Sequence, residues 1–205
     1  MEDIAHQIWL AIVQTSWLER ISVICGVIQV ILSKNNQVSN YLFGIISICT
    51  AIFVLFSAKL YGEIALQGYY LFMSIYGWWF WKYATGTKEQ PISSCSNREW
   101  QIVLAIVFIG FVFFYFLLEH ITNSDVPMWD AWVTSTAWAG MWLLAKRKIE
   151  NWILLNISNL FAVPLLYHKG LYLFALLTSI LFIIAILGYF NWKRLMKKDK
   201  EIATL

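Results

Sequence analysis

Charge is scarce in this sequence: 13% of its 205 residues are Asp, Glu, Lys or Arg, against 60% hydrophobic. That balance excludes an ordinary soluble domain, where about a quarter of residues are charged. The three cysteines, Cys25, Cys49 and Cys95, have no CxxC spacing, which excludes a zinc ribbon and implies no disulfide. Cys25 and Cys49 fall in apolar helices, where cysteine acts as a small hydrophobe. His6, His120 and His168 fall at helix ends, apart from one another, so no metal site is expected. There is no GxxxxGK[ST] phosphate loop and hence no ATPase. No lysine lies mid-membrane in the last helix to hold retinal as a Schiff base. Neither a Ser-His-Asp set nor a carboxylate pair occurs at membrane depth, so neither catalytic residue nor cofactor is expected. The N-terminus is acidic, with Glu2 and Asp3, and reads as no cleavable signal.

What is present is a series of apolar runs. Cutting at charges and turns leaves seven stretches of spanning length, at 18–33, 40–58, 60–82, 100–119, 129–145, 150–167 and 170–192. Ahead of them, Ile4, Ile8 and Ile12 recur one turn apart, which suits a short interfacial helix within 1–16. Lys34, Lys82, Lys88, Arg98, Lys146, Arg147, Lys148 and the run from Lys193 to Lys200 fall on one side of the membrane. Only Arg20, Lys59 and Lys169 fall on the other. This bias places the C-terminus in the cytoplasm and the N-terminus outside. The basic tail, 194–205, is thus an orientation signal, and nucleic acid is not an expected partner.

The chain also repeats itself. Asn40-Tyr41 and Asn151-Trp152 lie 111 positions apart, as do Ser47 and Ser158, Gly77 and Gly188, and Trp81-Lys82 and Trp192-Lys193. Glu19 falls on Asp130 in the same register, and no insertion is needed. The expected architecture is an all-α membrane protein of seven transmembrane helices arranged 3+1+3. Residues 17–82 form the first repeat, 83–127 a loop and linker helix, and 128–193 the second repeat. An even number of crossings between equivalent helices makes the repeats parallel, with a pseudo-twofold axis along the membrane normal. Between Ile102 and Leu118 the linker helix has Tyr115 as its one polar side chain, so it reads as facing lipid and partner helices.

At depth the polar residues are neutral. Asn156 and Asn159 are three apart on the sixth stretch, and Gln67, Tyr70 and Ser74 share a face of the third. Ser47 lies in the second stretch, and Thr134, Trp138 and Met141 in the fifth. A buried amide without a partner costs several kcal/mol in hydrocarbon, so these groups are expected to face the bundle interior. Serine and threonine also glue helices together, whereas strongly polar residues in a membrane are usually functional. Eight tryptophans, among them Trp81, Trp152 and Trp192, lie near helix ends, as an interfacial belt requires. Trp138 lies mid-helix, where an indole can stack on a flat ring, best of all a cationic one. The set points to a planar, aromatic, polar substrate. With Glu63 near the outer end of the third stretch and no acid deeper, uniport is favoured over proton symport.

Two runs carry a resemblance. Met128-Trp129-Asp130 with Trp142-Leu143-Leu144-Ala145-Lys146-Arg147-Lys148-Ile149-Glu150-Asn151-Trp152 is one. Ser39-Asn40-Tyr41-Leu42-Phe43-Gly44 with Leu60-Tyr61 and Ile75-Tyr76-Gly77-Trp78 is the other. Over residues 17–195 the chain resembles the Pnu vitamin transporter family. The resemblance implies a homotrimer in the bacterial inner membrane and a substrate held mid-membrane between the repeats. It also implies facilitated diffusion made into net uptake by a cytoplasmic vitamin kinase. Nicotinamide riboside is the family's default substrate. The chain departs from the motifs of riboside-carrying members at three pocket-like positions: Met141 stands in place of Gln, Leu155 in place of Trp and Ser74 in place of Asn. Such changes shift selectivity, and thiamine, carried by a sister group, stays open. A sugar uniporter of similar 3+1+3 form and a non-transporting membrane subunit are weaker readings, since neither accounts for the aromatic and amide character of the set.

Overall fold

The computed structural model describes residues 13, 16–57, 61–84, 90–121 and 124–203. The interfacial helix expected within 1–16 and the side chain of Glu63 lie outside the described set. Within it the chain is all-helical: α1 Trp17–Lys34, α2 Asn40–Ser57, α3 Tyr61–Tyr83, α4 Asn97–Ile121, α5 Pro127–Ala145, α6 Asn151–His168 and α7 Tyr172–Ala203. The expected boundaries agree within a few residues, save that α7 continues through the basic tail. Lysine, arginine and glutamate are good helix formers, so a change of charge does not end a helix.

The local sequence accounts for the ends. Ser16 and Glu19 cap α1 reciprocally: the Glu19 amide donates to the Ser16 hydroxyl at 3.3 Å and the Ser16 amide to the Glu19 carboxylate at 2.6 Å. Ser96 and Glu99 do the same for α4. α5 starts at Pro127, whose missing N–H would be an orphan at that position anyway, and carries Asp130 in its first turn.

α4 and α7 contain the clearest spans. Asn97–His120 has a mean hydropathy of 2.7 over 24 residues, and Phe174–Asp199 one of 2.1 over 26. At 1.5 Å per residue each exceeds the roughly 30 Å hydrocarbon core of a bilayer.

The chain divides into two compact units, Met1–Pro91 and Ile92–Leu205. In the first, α2 packs against both α1 and α3; in the second, α4 packs on α5, α5 on α6 and α6 on α7. The linker helix therefore belongs with the second unit. One face buries Val103 and Phe114, while Leu104, Phe108 and Ile109 stay exposed. The N-terminal approach to α4 is fixed as well. Ser93 pairs with the α5–α6 turn, its amide donating to the Arg147 carbonyl at 3.2 Å and its carbonyl accepting from the Ile149 amide at 3.0 Å.

Both units use the same joints. The Asn40 side chain donates to the Gln37 carbonyl at 2.6 Å, and Asn151 to the Lys148 carbonyl at 2.6 Å. Asn36 and Arg147 both adopt positive φ, 58° and 55°, in the turn before α2 and α6. The Ser47 hydroxyl donates to the Ser22 carbonyl at 2.7 Å, tying α2 to α1, and Ser158 to the Val133 carbonyl at 2.8 Å, tying α6 to α5. Tyr41 meets Trp81 edge to face at 5.2 Å, and Trp152 meets Trp192 at 5.5 Å. A glycine makes room each time: a Cβ on Gly77 would lie 2.5 Å from the Tyr41 ring, and one on Gly188 would lie 2.8 Å from Trp152.

These contacts correct one expectation. Trp81, Trp152 and Trp192 are not part of a lipid-facing belt; they are 0–1% exposed and form the core of their units. Nearness to a helix end fixes depth, not the face a ring takes, and the glycine slots draw these rings inward. Trp17, Trp78, Trp79 and Trp100 are exposed as a belt requires.

Candidate substrate-binding site

The nine positions singled out from the sequence fall on four helices, two in each unit. In the first unit Gln67 and Tyr70 are half-buried on α3, and Ser74, one turn on, is fully buried. The Ser74 hydroxyl makes no hydrogen bond to any described residue. Helical serines usually bond to a carbonyl of the preceding turn, and leaving a buried hydroxyl unmet costs about 1–3 kcal/mol. Ser47 differs, since it forms the α1–α2 joint: the Ser22 hydroxyl returns a bond to the Ser47 carbonyl at 2.9 Å.

In the second unit Asn156 lines a groove of about 300 Å³ between α6 and α7, beside Trp152, Phe182 and Tyr189. Its Oδ1 is buried with no donor among the described residues. Asn159 is half-buried and does not line this groove. Three residues advance a helix by about 300°, so the two amides diverge by about 60° and share a face only loosely. On α5, Met141 is buried and Thr134 half-buried. The Trp138 ring meets Phe114 of α4 edge to face at 4.7 Å, which fixes its plane.

The other hydroxyls of α5 are internally satisfied. Ser135 and Thr136 both donate to the Trp132 carbonyl, at 3.2 and 2.8 Å, so they shape the helix. Two donors that the sequence reading did not single out are Trp132 and Trp152, whose indole N–H groups are buried without an acceptor among the described residues. Indole nitrogens usually find a partner when buried. The Trp152 signal was present in the sequence as the counterpart of Tyr41 in the repeat register, but its position near a helix end masked it.

The ion pairs of the described residues sit at helix ends. Lys148 meets Glu99 at 3.0 Å, His168 meets Asp125 at 3.0 Å, and Lys169 meets Asp130, which also accepts from Ser124 at 2.6 Å. Trp129 donates its indole N–H to the Phe161 carbonyl at 2.8 Å, in the turn that Pro164 interrupts. Cys95, in the loop ahead of α4, has its thiol pushed up to about 12 by burial and by the neighbouring Glu150 carboxylate, which makes it inert as a nucleophile. The described residues hold no cluster of three or more metal-ligating side chains. The candidate polar side chains that remain in each unit are neutral: amides, hydroxyls and aromatic rings.

Residues 16–194 match the model of the nicotinamide mononucleotide transporter family. The chain belongs to that family. It is a membrane transporter, not an enzyme. Among its relatives, the nicotinamide riboside transporter PnuC of Escherichia coli is 26% identical over 203 residues, covering 86% of this chain and 85% of that protein. The protein of the same name from Haemophilus influenzae is 29% identical over 208 residues, covering 95% and 88%. The crystal structure of the vitamin B3 transporter PnuC matches with a TM-score of 0.70 at 24% identity, over 95% of this chain and 88% of that one. The fold is therefore that of this transporter.

Proposed function

We propose that the chain carries nicotinamide riboside across the bacterial cytoplasmic membrane by facilitated diffusion. The observation that carries this reading is the match to relatives named nicotinamide riboside transporter over 86–95% of the chain. The local chemistry supports it. In the second unit Asn156 and Asn159 offer donors and acceptors for a carboxamide and a ribose, and Trp138 a ring for a flat base; in the first, Gln67 and Ser74 offer polar groups and Tyr70 a ring. Met141 and Thr134 are further candidates on α5 of the second unit.

No carboxylate at depth is available to relay protons, and the sequence has no nucleotide motif, so substrate equilibrates across the membrane. Net uptake follows when a cytoplasmic kinase phosphorylates the vitamin and lowers its free concentration. The basic bias places Lys146–Lys148 and the C-terminus in the cytoplasm, and the working form is a homotrimer. Thiamine is the second reading, favoured by Met141, Leu155 and Ser74, where members that carry the riboside have Gln, Trp and Asn.

The test uses purified protein in proteoliposomes without kinase, offered labelled nicotinamide riboside or thiamine. The expected result is riboside uptake that stops when inside and outside concentrations match. Accumulation driven by an imposed pH or sodium gradient would refute uniport. Uptake of thiamine alone would select the second reading.

A further inference from the structure

The groove between α6 and α7 has a second lobe. Below the part that holds Asn156, it continues past Ile153 and Tyr189, which line both lobes, into a depression of about 290 Å³ bordered by Ser94, Lys193, Met196 and Lys197. The upper lobe offers almost entirely apolar surface, with Ile157, Leu160, Ile186 and Phe190 on its walls. Ile153, Leu160 and Phe190 are exposed, at 41%, 57% and 62%. The lower lobe ends among cations.

Several other cations of the unit are engaged. Lys148 and Lys169 are paired with Glu99 and Asp130, and Arg194 donates to the Asn191 side chain at 2.9 Å. Lys193 and Lys197 have no acidic partner among the described residues; the Lys193 ammonium lies 5.8 Å from the Tyr189 ring centroid. Four residues apart on α7, they face the same way. Glu150 also borders the lobe, but its carboxylate accepts from the Cys95 amide at 3.0 Å. The lobe thus presents two free positive charges against one engaged negative one.

The dimensions match one leaflet. Phe182, at the upper end, and Lys193 are eleven residues apart on α7, which at 1.5 Å per residue is about 16 Å, close to half of a roughly 30 Å hydrocarbon core. We infer that this groove binds an anionic phospholipid of the leaflet on the basic side, its phosphate held by Lys193 and Lys197 and one acyl chain laid along Ile153, Ile186 and Phe190. Apolar wall and unpaired cations at interfacial depth are the pattern by which pockets between helices recognise acidic headgroups. A soluble solute would leave the wall unused, and a neutral lipid would leave the lysines unused.

The test is native mass spectrometry of the full-length protein in neutral detergent, delipidated and then offered phosphatidylglycerol or phosphatidylcholine with matched chains. Phosphatidylglycerol should be retained severalfold over phosphatidylcholine. Lys193→Gln and Lys197→Gln should each lower that retention about fivefold, while Lys198→Gln does not. Ile153→Trp, which fills the junction of the lobes at an exposed position, should abolish retention with both lysines intact. Riboside binding in Lys193→Gln and Lys197→Gln, which lie away from Asn156, should be unchanged. Equal retention of the two lipids, or phosphatidylglycerol retention indifferent to both lysines, would overturn the inference. So would a change of oligomeric state in the lysine variants with lipid retention intact, which would make the groove a joint between copies of the chain.

Discussion

At equivalent turns of the two units, Asn40 and Asn151 donate to a carbonyl three residues back, each at 2.6 Å, and Ser47 and Ser158 reach a neighbouring helix at 2.7 and 2.8 Å. One helical turn along, the likeness ends. Where α6 carries Asn156 and Asn159, α2 carries Ile45 and Ile48; where α3 carries Gln67 and Ser74, α7 carries Thr178 and Ala185. Trp138 aligns with Val27 in the same register. One contact is kept with its sides exchanged: Gly44 receives Gln29 in the first unit, and Gly140 receives Leu155 in the second. The two units share the contacts that hold each together and differ at positions that do not. The differing positions hold most of the candidate site, so the difference between the units points to function more sharply than either unit alone.

If the joints are equivalent, equal damage should follow from equal changes. Gly77→Ala and Gly188→Ala drive a methyl into the Tyr41 and Trp152 rings, and each should destabilise by about 1–3 kcal/mol, the cost of overpacking. Thermal unfolding in detergent reads this, and a large effect in one unit alone would break the equivalence. Ser47→Ala and Ser158→Ala should each cost about 1 kcal/mol, the net worth of one hydrogen bond, with riboside affinity unchanged. An affinity loss confined to Ser47→Ala would instead return that residue to the substrate site. The smallest effect concerns a contact with no counterpart. Lys148 aligns with Gln37, and only Lys148 meets an acid, Glu99 of α4. Glu99→Gln should cost up to about 1 kcal/mol, an effect that high salt diminishes; unfolding curves at low and high ionic strength check it.

Much of the fold was legible because hydrocarbon imposes simple rules: apolar runs of spanning length with charges at their ends. Faces were harder to read. Trp152 and Trp192 lie at helix ends like belt residues, yet face inward because Gly188 leaves a slot, which only the pairing of helices reveals. Asn156 and Asn159 satisfy the spacing rule for one face, yet the 60° between them is enough to place one on the α6–α7 groove and one off it. Ser47 and Ser74 looked alike as small polar residues at depth. The structure gives Ser47 a carbonyl partner and leaves the Ser74 hydroxyl without one among the described residues.

The most direct measurement gives the second unit the residues of the first. Asn156→Ile with Asn159→Ile copies Ile45 and Ile48 onto α6, and nicotinamide riboside binding is then measured calorimetrically beside the unfolding temperature. The account predicts an affinity loss of about fivefold or more, from about 1–3 kcal/mol for substrate groups left unpaired, with the unfolding temperature held or raised. Unchanged affinity in a folded double variant would contradict it and make the two amides packing groups.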